Sequence, residues 1–297
     1  MILTLGMLLV ALFQVTGRVV EFRRAGLLKV ATGQTNTEPS TEIVGRPDIN
    51  DLPPDARFKL ESVASEKRIS SMVVADLNSN MISAGTMMSP GSRPVWSMIK
   101  QEYPYAAITG TFFAPGQGIP VADVLVDGTL KAVGNRGSGI GVDEFGTVSI
   151  FDERYRQKFD WTNFKYGLRG AVRVVTDKKV APNPKAQHFK DKRIWGRAAR
   201  TGVGLTKHNK LVLIATSSPI TLSEFGKAMV SQGVVDGLSL DGGSSTCLYF
   251  NGSMVISPRR QLTNLFVLHD RPPSGIAAIQ EQRAASAATI ATVKPVI

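Results

Sequence analysis

The residues with the clearest chemical potential stand together in Asp241-Gly242-Gly243-Ser244-Ser245-Thr246. Before them, Leu238 and Leu240 alternate with Ser239, the two-residue period of a strand. The pattern delivers one carboxylate from a strand end into a turn of bare backbone. Paired glycines reach dihedrals that other residues avoid and leave their amides uncovered. An acid, open N–H groups and hydroxyls suit a sugar or phosphate ligand. The same residues also suit a tight turn capped by Asp241, and the local pattern leaves both readings open. A second group is Arg197 and Arg200, in Gly196-Arg197-Ala198-Ala199-Arg200-Thr201-Gly202. Small neighbours give such a guanidinium room to reach a pocket, where its fork pairs with phosphate or carboxylate. Taken singly, either arginine reads equally as a surface residue at a strand start.

Other chemistries find little support. No P-loop is present, and no G-x-G-x-x-G stands between a strand and a helix. His188, His208 and His269 are scattered without H-x-x-x-H spacing. Neither Ser244 nor Ser245 sits in a G-x-S-x-G elbow, which argues against a serine hydrolase. Cys247 is the single cysteine, so no disulfide within the chain and no cysteine-based metal site can form. Asn251-Gly252-Ser253 has the form of a glycosylation acceptor, but a hairpin turn explains it better. No ligand set surrounds Asp241, so neither a metal nor a cofactor is expected.

The elements that must position these residues follow from pattern and composition. The chain has 297 residues, 43% hydrophobic and 20% charged, with 28 glycines, which is ordinary globular material with many turns. Strands are expected over residues 58–63, 71–77, 105–108, 121–126, 139–142, 147–151, 201–205, 211–216, 248–250, 254–256 and 264–268. Ser92 and Pro94 open one expected helix, which Pro104 stops. Thr221 and Glu224 have capping-box spacing for a second, with Leu222, Phe225 and Met229 on one side and Gly233 placed to end it. The expected fold is α+β: mixed, largely antiparallel sheets with a few packed helices, in a single domain. The expected boundaries are an apolar signal-like or anchor segment (1–17), an extension and linker (18–56), the domain (57–270) and a flexible or weakly helical tail (271–297). The apolar run over residues 2–13 is short for a membrane span of roughly 20 residues. It points to an exported or cell-envelope protein, with membrane association through this segment. The formal net charge is +11, and residues 154–200 hold fourteen Lys or Arg against three Asp. That excess favours anionic partners. No zinc-finger spacing, RNP-like signature or basic heptad helix accompanies it, so nucleic acid is not an expected partner.

Several short blocks, in order, resemble the phosphodiester glycosidase family, that of the N-acetylglucosamine-1-phosphodiester α-N-acetylglucosaminidase ("uncovering enzyme") catalytic domain. Ala106-Ala107-Ile108-Thr109-Gly110-Thr111-Phe112-Phe113 is similar to an early block that usually reads Asn-Gly-x-Phe-Phe. Val124-Leu125-Val126-Asp127-Gly128 follows as a strand and turn. Residues 170–175 lead towards Ala199-Arg200-Thr201-Gly202-Val203-Gly204, which resembles a Pro-Arg-Thr-Ala-Val-Gly block. Leu240-Asp241-Gly242-Gly243-Ser244-Ser245-Thr246 resembles the most recognisable motif, and Arg260-Gln261-Leu262-Thr263-Asn264 the closing one. The resemblance implies hydrolysis of a sugar-1-phosphodiester at the glycosidic bond, with a sugar-phosphate or glycan as partner, in cell-envelope or exopolysaccharide metabolism. It implies catalytic roles for Asp241 and Arg200. It implies substrate binding by Thr109, Gly242, Gly243, Ser244, Ser245, Arg260 and Asn264, with Asp127 a secondary carboxylate. Two positions depart from the pattern: Thr109 stands for the usual Asn, and Ala199 for the usual Pro. The first keeps a non-catalytic glycan- or anionic-polymer-binding protein as the alternative.

Overall fold

The computed structural model of the protein describes residues 48–292, except 66–67, 115 and 153–156. The signal-like segment and nearly all of the expected extension therefore lie outside the described residues. Among the described residues no helix is long and apolar enough to cross a membrane.

A short helix, α1 (Pro54–Arg57), leads into β1 (Phe58–Ser65) and β2 (Arg68–Asp76). Then come β3 (Ser83–Arg93), helix α2 (Val95–Glu102), β4 (Ala106–Thr109) and the small pair β5 (Phe113–Ala114) and β6 (Ile119–Pro120). Hairpins follow: β7 (Val124–Val126) with β8 (Thr129–Ala132), and β9 (Ser138–Val142) with β10 (Val148–Phe151). Next are β11 (Tyr166–Thr176), β12 (Lys179–Val180), β13 (Ala198–Thr206) and β14 (Lys210–Ile220). Helix α3 (Leu222–Ser231) precedes β15 (Val234–Ser239), β16 (Leu248–Phe250), β17 (Ser253–Ile256), β18 (Leu262–His269) and helix α4 (Ser274–Thr292).

Two sheets hold most of these strands. The larger is 11-stranded, with the path β1-β2-β14-β13-β15-β11-β7-β8 and β9, β10 and β12 attached beside it. The smaller is 5-stranded, in the order β17-β16-β4-β18-β3. Neighbouring strands in both pair antiparallel. The fold is α+β and strand-rich.

Alternation along the strands builds a four-layer stack. On β14, Leu211, Leu213 and Ala215 face Ile108 of β4 and Phe266 and Leu268 of β18 in the core between the sheets. Val212 and Ile214 face the other way, onto Phe225 and Met229 of α3. On β18, Leu265 and Val267 turn outward onto Val95, Met98 and Ile99 of α2. Both faces of the central strands are therefore apolar, and each sheet carries a helix on its outer side. Helix α3 begins as its sequence dictates. The Thr221 hydroxyl accepts from the Glu224 amide and the Glu224 carboxylate accepts from the Thr221 amide, a complete capping box. Gly233, at φ 81°, ends it.

Some elements differ from the sequence expectation. Strand β3 reads Ser-Ala-Gly-Thr-Met-Met-Ser-Pro-Gly-Ser-Arg, which carries no run of β-branched residues, and it pairs with β18 rather than forming a loop. Helix α2 starts at Val95 without a side-chain cap from Ser92; Pro94 occupies the cap position. Strand β11, largely buried, runs through the middle of the basic stretch. Residues 274–292 form helix α4, anchored at its start where the Gly275 amide donates to Glu144 O (2.8 Å). Arg57 ties α1 to the end of β18 through an ion pair with Asp270 (2.5 Å).

Candidate active site

Asp241 lies where the chain leaves β15 of the larger sheet and crosses to β16 of the smaller one. Three hydrogen bonds hold the crossing. The Leu240 amide donates to Thr201 O (2.9 Å), the Asp241 amide to Gly110 O (3.0 Å), and the Thr201 hydroxyl to Asp241 O (2.5 Å). Thr201 belongs to β13 and Gly110 follows β4, so both sheets grip the same residue. Gly242 passes so close to the backbone that an added Cβ would lie 2.5 Å from Ala199 O. Gly243 then takes φ 62° and opens a 3-10 turn, Gly243–Ser245.

The Asp241 carboxylate is almost wholly buried. Its Oδ2 accepts from Arg260 Nη2 at 2.8 Å. Arg260 Nε also donates to Ser245 Oγ (2.5 Å), and its guanidinium lies 4.3 Å from the centre of the Phe113 ring. Burial pushes the Asp241 carboxyl above the usual carboxylate range, against the opposing pull of the Ser245 hydrogen bond, the Arg260 cation and the Gly242 amide.

Around this group opens a cavity of about 760 Å³. Asp241, Gly242, Gly243, Ser244 and Arg260 line it, with Phe112, Phe113 and Phe189 as apolar wall. Arg136, Lys190, Arg193, Arg197 and Arg200 add cations, against Asp191 as a further carboxylate. The basic stretch therefore divides. Its last part, from Lys190 to Arg200, faces the cavity. Lys165 pairs with Asp127 (3.1 Å), Arg173 pairs with Asp236, and Arg169 is fully buried.

The predicted site residues separate in the same way. Asp241, Gly242, Gly243, Ser244, Arg200 and Arg260 line the cavity. Arg200 does so as a brace. Its Nε donates to Ile220 O (3.1 Å) and its Nη2 to Ile194 O (3.0 Å) and to Gly196 O. Burial lowers its pKa to about 10. Its donors hold the 194–196 wall while the residue lines the cavity. Arg197 pairs with Glu224 (2.9 Å), whose carboxyl is held down at about 2 by the Thr221 amide and by Arg197.

Thr109, Ser245 and Asn264 are not among the residues that line the cavity, and each makes internal hydrogen bonds. The Thr109 hydroxyl donates to Ser245 O (2.5 Å). Asn264 Oδ1 accepts from the Thr111 amide (2.7 Å), while its Nδ2 donates to Thr263 Oγ1 (2.8 Å) and Thr111 O (3.3 Å). Gly110 makes room for this: a Cβ there would sit 2.0 Å from Asn264 Oδ1. Ser245 is fully buried beneath Asp241 and Arg260. Asp127 sits in the exposed β7–β8 turn, paired with Lys165, and does not line the cavity. Sequence reasoning missed Arg136, Phe189 and Asp191, which come from loops with no periodic or motif signal. Asp191 is itself held by Arg193 (2.6 Å). Among the described residues no three His, Cys, Asp or Glu side chains gather as a metal site.

The fold resembles two solved structures. One is a hypothetical protein from Synechocystis, at 14% identity and TM-score 0.61, covering 71% of this chain and 61% of that one. The chain thus spans about three fifths of that protein's length. The other is the catalytic domain of zebrafish N-acetylglucosamine-1-phosphodiester α-N-acetylglucosaminidase, in a form auto-inhibited by its pro-peptide. It matches at 20% identity and TM-score 0.58, covering 72% of this chain and 82% of that one. No curated protein matches the sequence. The phosphodiester glycosidase family model matches residues 103–269, which include β4, the Asp241 crossing and β18. More than half of the sequence carries that match, and the chain belongs to the phosphodiester glycosidase family.

Proposed function

We propose that the protein hydrolyses a sugar-1-phosphodiester, such as an N-acetylglucosamine-1-phosphodiester, at the glycosidic bond. The observation that carries this reading is a buried carboxylate, Asp241, beside Arg260 in a cation-rich cavity. A phosphodiester substrate arrives with a negative charge and leaves as a phosphomonoester, which is already a good leaving group. Strong protonation of the leaving oxygen matters less than in an ordinary glycoside. What remains is to stabilise positive charge at the anomeric carbon and to activate water, both carboxylate tasks. The bond from the anomeric carbon to oxygen breaks, the water oxygen replaces it, and Asp241 takes the water proton. Its proton affinity, raised by burial, suits that step. Arg260 keeps the carboxylate oriented and supplies charge to the departing anion. Phe112, Phe113 and Phe189 offer apolar faces to a sugar ring.

Incubation of the intact protein with such a diester is expected to release free sugar, read by chromatography. Asp241→Asn is expected to lower kcat by at least about a hundredfold, the usual scale of a lost general base, with an unchanged circular dichroism spectrum. Near-normal turnover in that variant would remove Asp241 from the reaction. Saturable sugar binding without release by the unaltered protein would favour a glycan-binding role on the same fold.

A further inference from the structure

Arg136 lines the cavity of Asp241 but comes from a different part of the chain, the segment between β8 and β9. The backbone on both sides of it is pinned. The Gly134 amide donates to Asp123 Oδ1 (2.7 Å), and buried Asp123 also accepts from Trp161 Nε1 (3.0 Å). Gly134 presses so closely on the neighbouring loop that a Cβ would lie 2.2 Å from Ala122 Cα. On the other side Gly137 takes φ 73°, with its Cβ position 2.6 Å from Ala171 O. Arg169, fully buried, donates to Gly137 O (3.4 Å).

The side chain between these anchors is treated differently. Among the described residues Arg136 makes no hydrogen bond or ion pair, and its Nε is buried without a partner. The neighbouring cavity arginines are engaged: Arg260 with Asp241, Arg193 with Asp191, Arg197 with Glu224, and Arg200 with main-chain carbonyls. A buried N–H without an acceptor is unfavourable, and an anionic oxygen is the acceptor that best satisfies a guanidinium. Phe189, which lines the cavity beside Gly137, is followed by Lys190, a further cation of that wall.

We infer that Arg136 is the residue that grips the phosphodiester group of the substrate, through its guanidinium fork, in the cavity that holds Asp241. This rests on the glycosidase reading above and adds to it the anion subsite and its owner. The anchored backbone fixes where the side chain starts, so the loop itself needs little ordering when the anion arrives.

The test separates anion binding from turnover. Dimethyl phosphate, a diester monoanion without a sugar, is titrated into the intact protein and followed by phosphorus NMR. Arg136→Ala is expected to weaken binding by about ten- to a hundredfold, the range of a lost charged hydrogen bond, with an unchanged melting temperature. Arg136→Lys should recover part of the loss, because it keeps the charge but not the fork. Arg136→Gln is measured beside them in case the alanine variant folds poorly. Unchanged affinity in the Ala and Gln variants, or no binding by the unaltered protein, would overturn the assignment. Sugar release at full kcat/KM in Arg136→Ala would overturn it while leaving the glycosidase reading intact. Binding that depends on Arg136, in a protein that releases no sugar, would keep the anion site and sink the glycosidase reading.

Discussion

Asp241 carries two opposed influences, burial that favours its protonated form and a cation that favours its charge. Burial prevails, so the folded-state pKa lies above the unfolded value. The sign of the linkage follows. The protonated carboxyl contributes stability below the unfolded value of 3.8, and that contribution is lost as pH rises through the folded pKa. Asp241→Asn cannot ionise. Its melting temperature relative to the unaltered protein is therefore expected to rise as pH increases from about 4 towards neutrality. Thermal unfolding of both proteins across that range measures it; a difference that shrinks with pH would show that Arg260 outweighs burial. Asp241 and Arg260 could be singled out in the sequence because each sits in a short, ordered block. Arg136 could not, since a lone arginine in a glycine-rich loop carries no periodicity, and only packing reveals that its guanidinium lacks a partner.

Between elements, the junction of β4 and β18 shows side chains of a ligand-binding type serving the fold. Asn264 and Thr109 have side chains that suit sugar hydroxyls. Here they satisfy main-chain groups at the crossing: Asn264 serves the Thr111 amide and Thr109 the Ser245 carbonyl. Asn264→Ala leaves a buried amide without its acceptor and is expected to cost about 1–3 kcal/mol of stability, measured by denaturant unfolding. Unchanged stability with a raised KM would return Asn264 to the substrate. Helix α3 was legible because its stop and start signals are local: the cap, the acid three residues on and the closing glycine. Strand β3 was not, because its small and polar residues hide a strand whose pairing with β18 comes from far along the chain.

Across the whole molecule the net charge is +11, and the cavity itself holds more cations than carboxylates. Long-range attraction should then bring an anionic substrate in. Raising salt from about 0.1 M to about 1 M shortens the screening distance from ~10 Å to ~3 Å. KM for a phosphodiester is expected to rise severalfold over that range while kcat changes little, in steady-state assays. A KM indifferent to salt would show that only contacts inside the cavity matter.

The sequence by itself determined the fold class, the capped helix, the hairpins at Asp127-Gly128 and Asn251-Gly252, and the family, because turn chemistry, periodicity and short ordered motifs are local properties. It also picked out Asp241 and Arg260. Tertiary structure decided what surrounds them. It divided one basic stretch between the cavity and remote ion pairs. It gave Arg200, Thr109 and Asn264 main-chain partners and brought Arg136 to the cavity from a loop far from Asp241 in sequence. These outcomes depend on which polar groups meet once two sheets close on one another, and that is a property of distance in space.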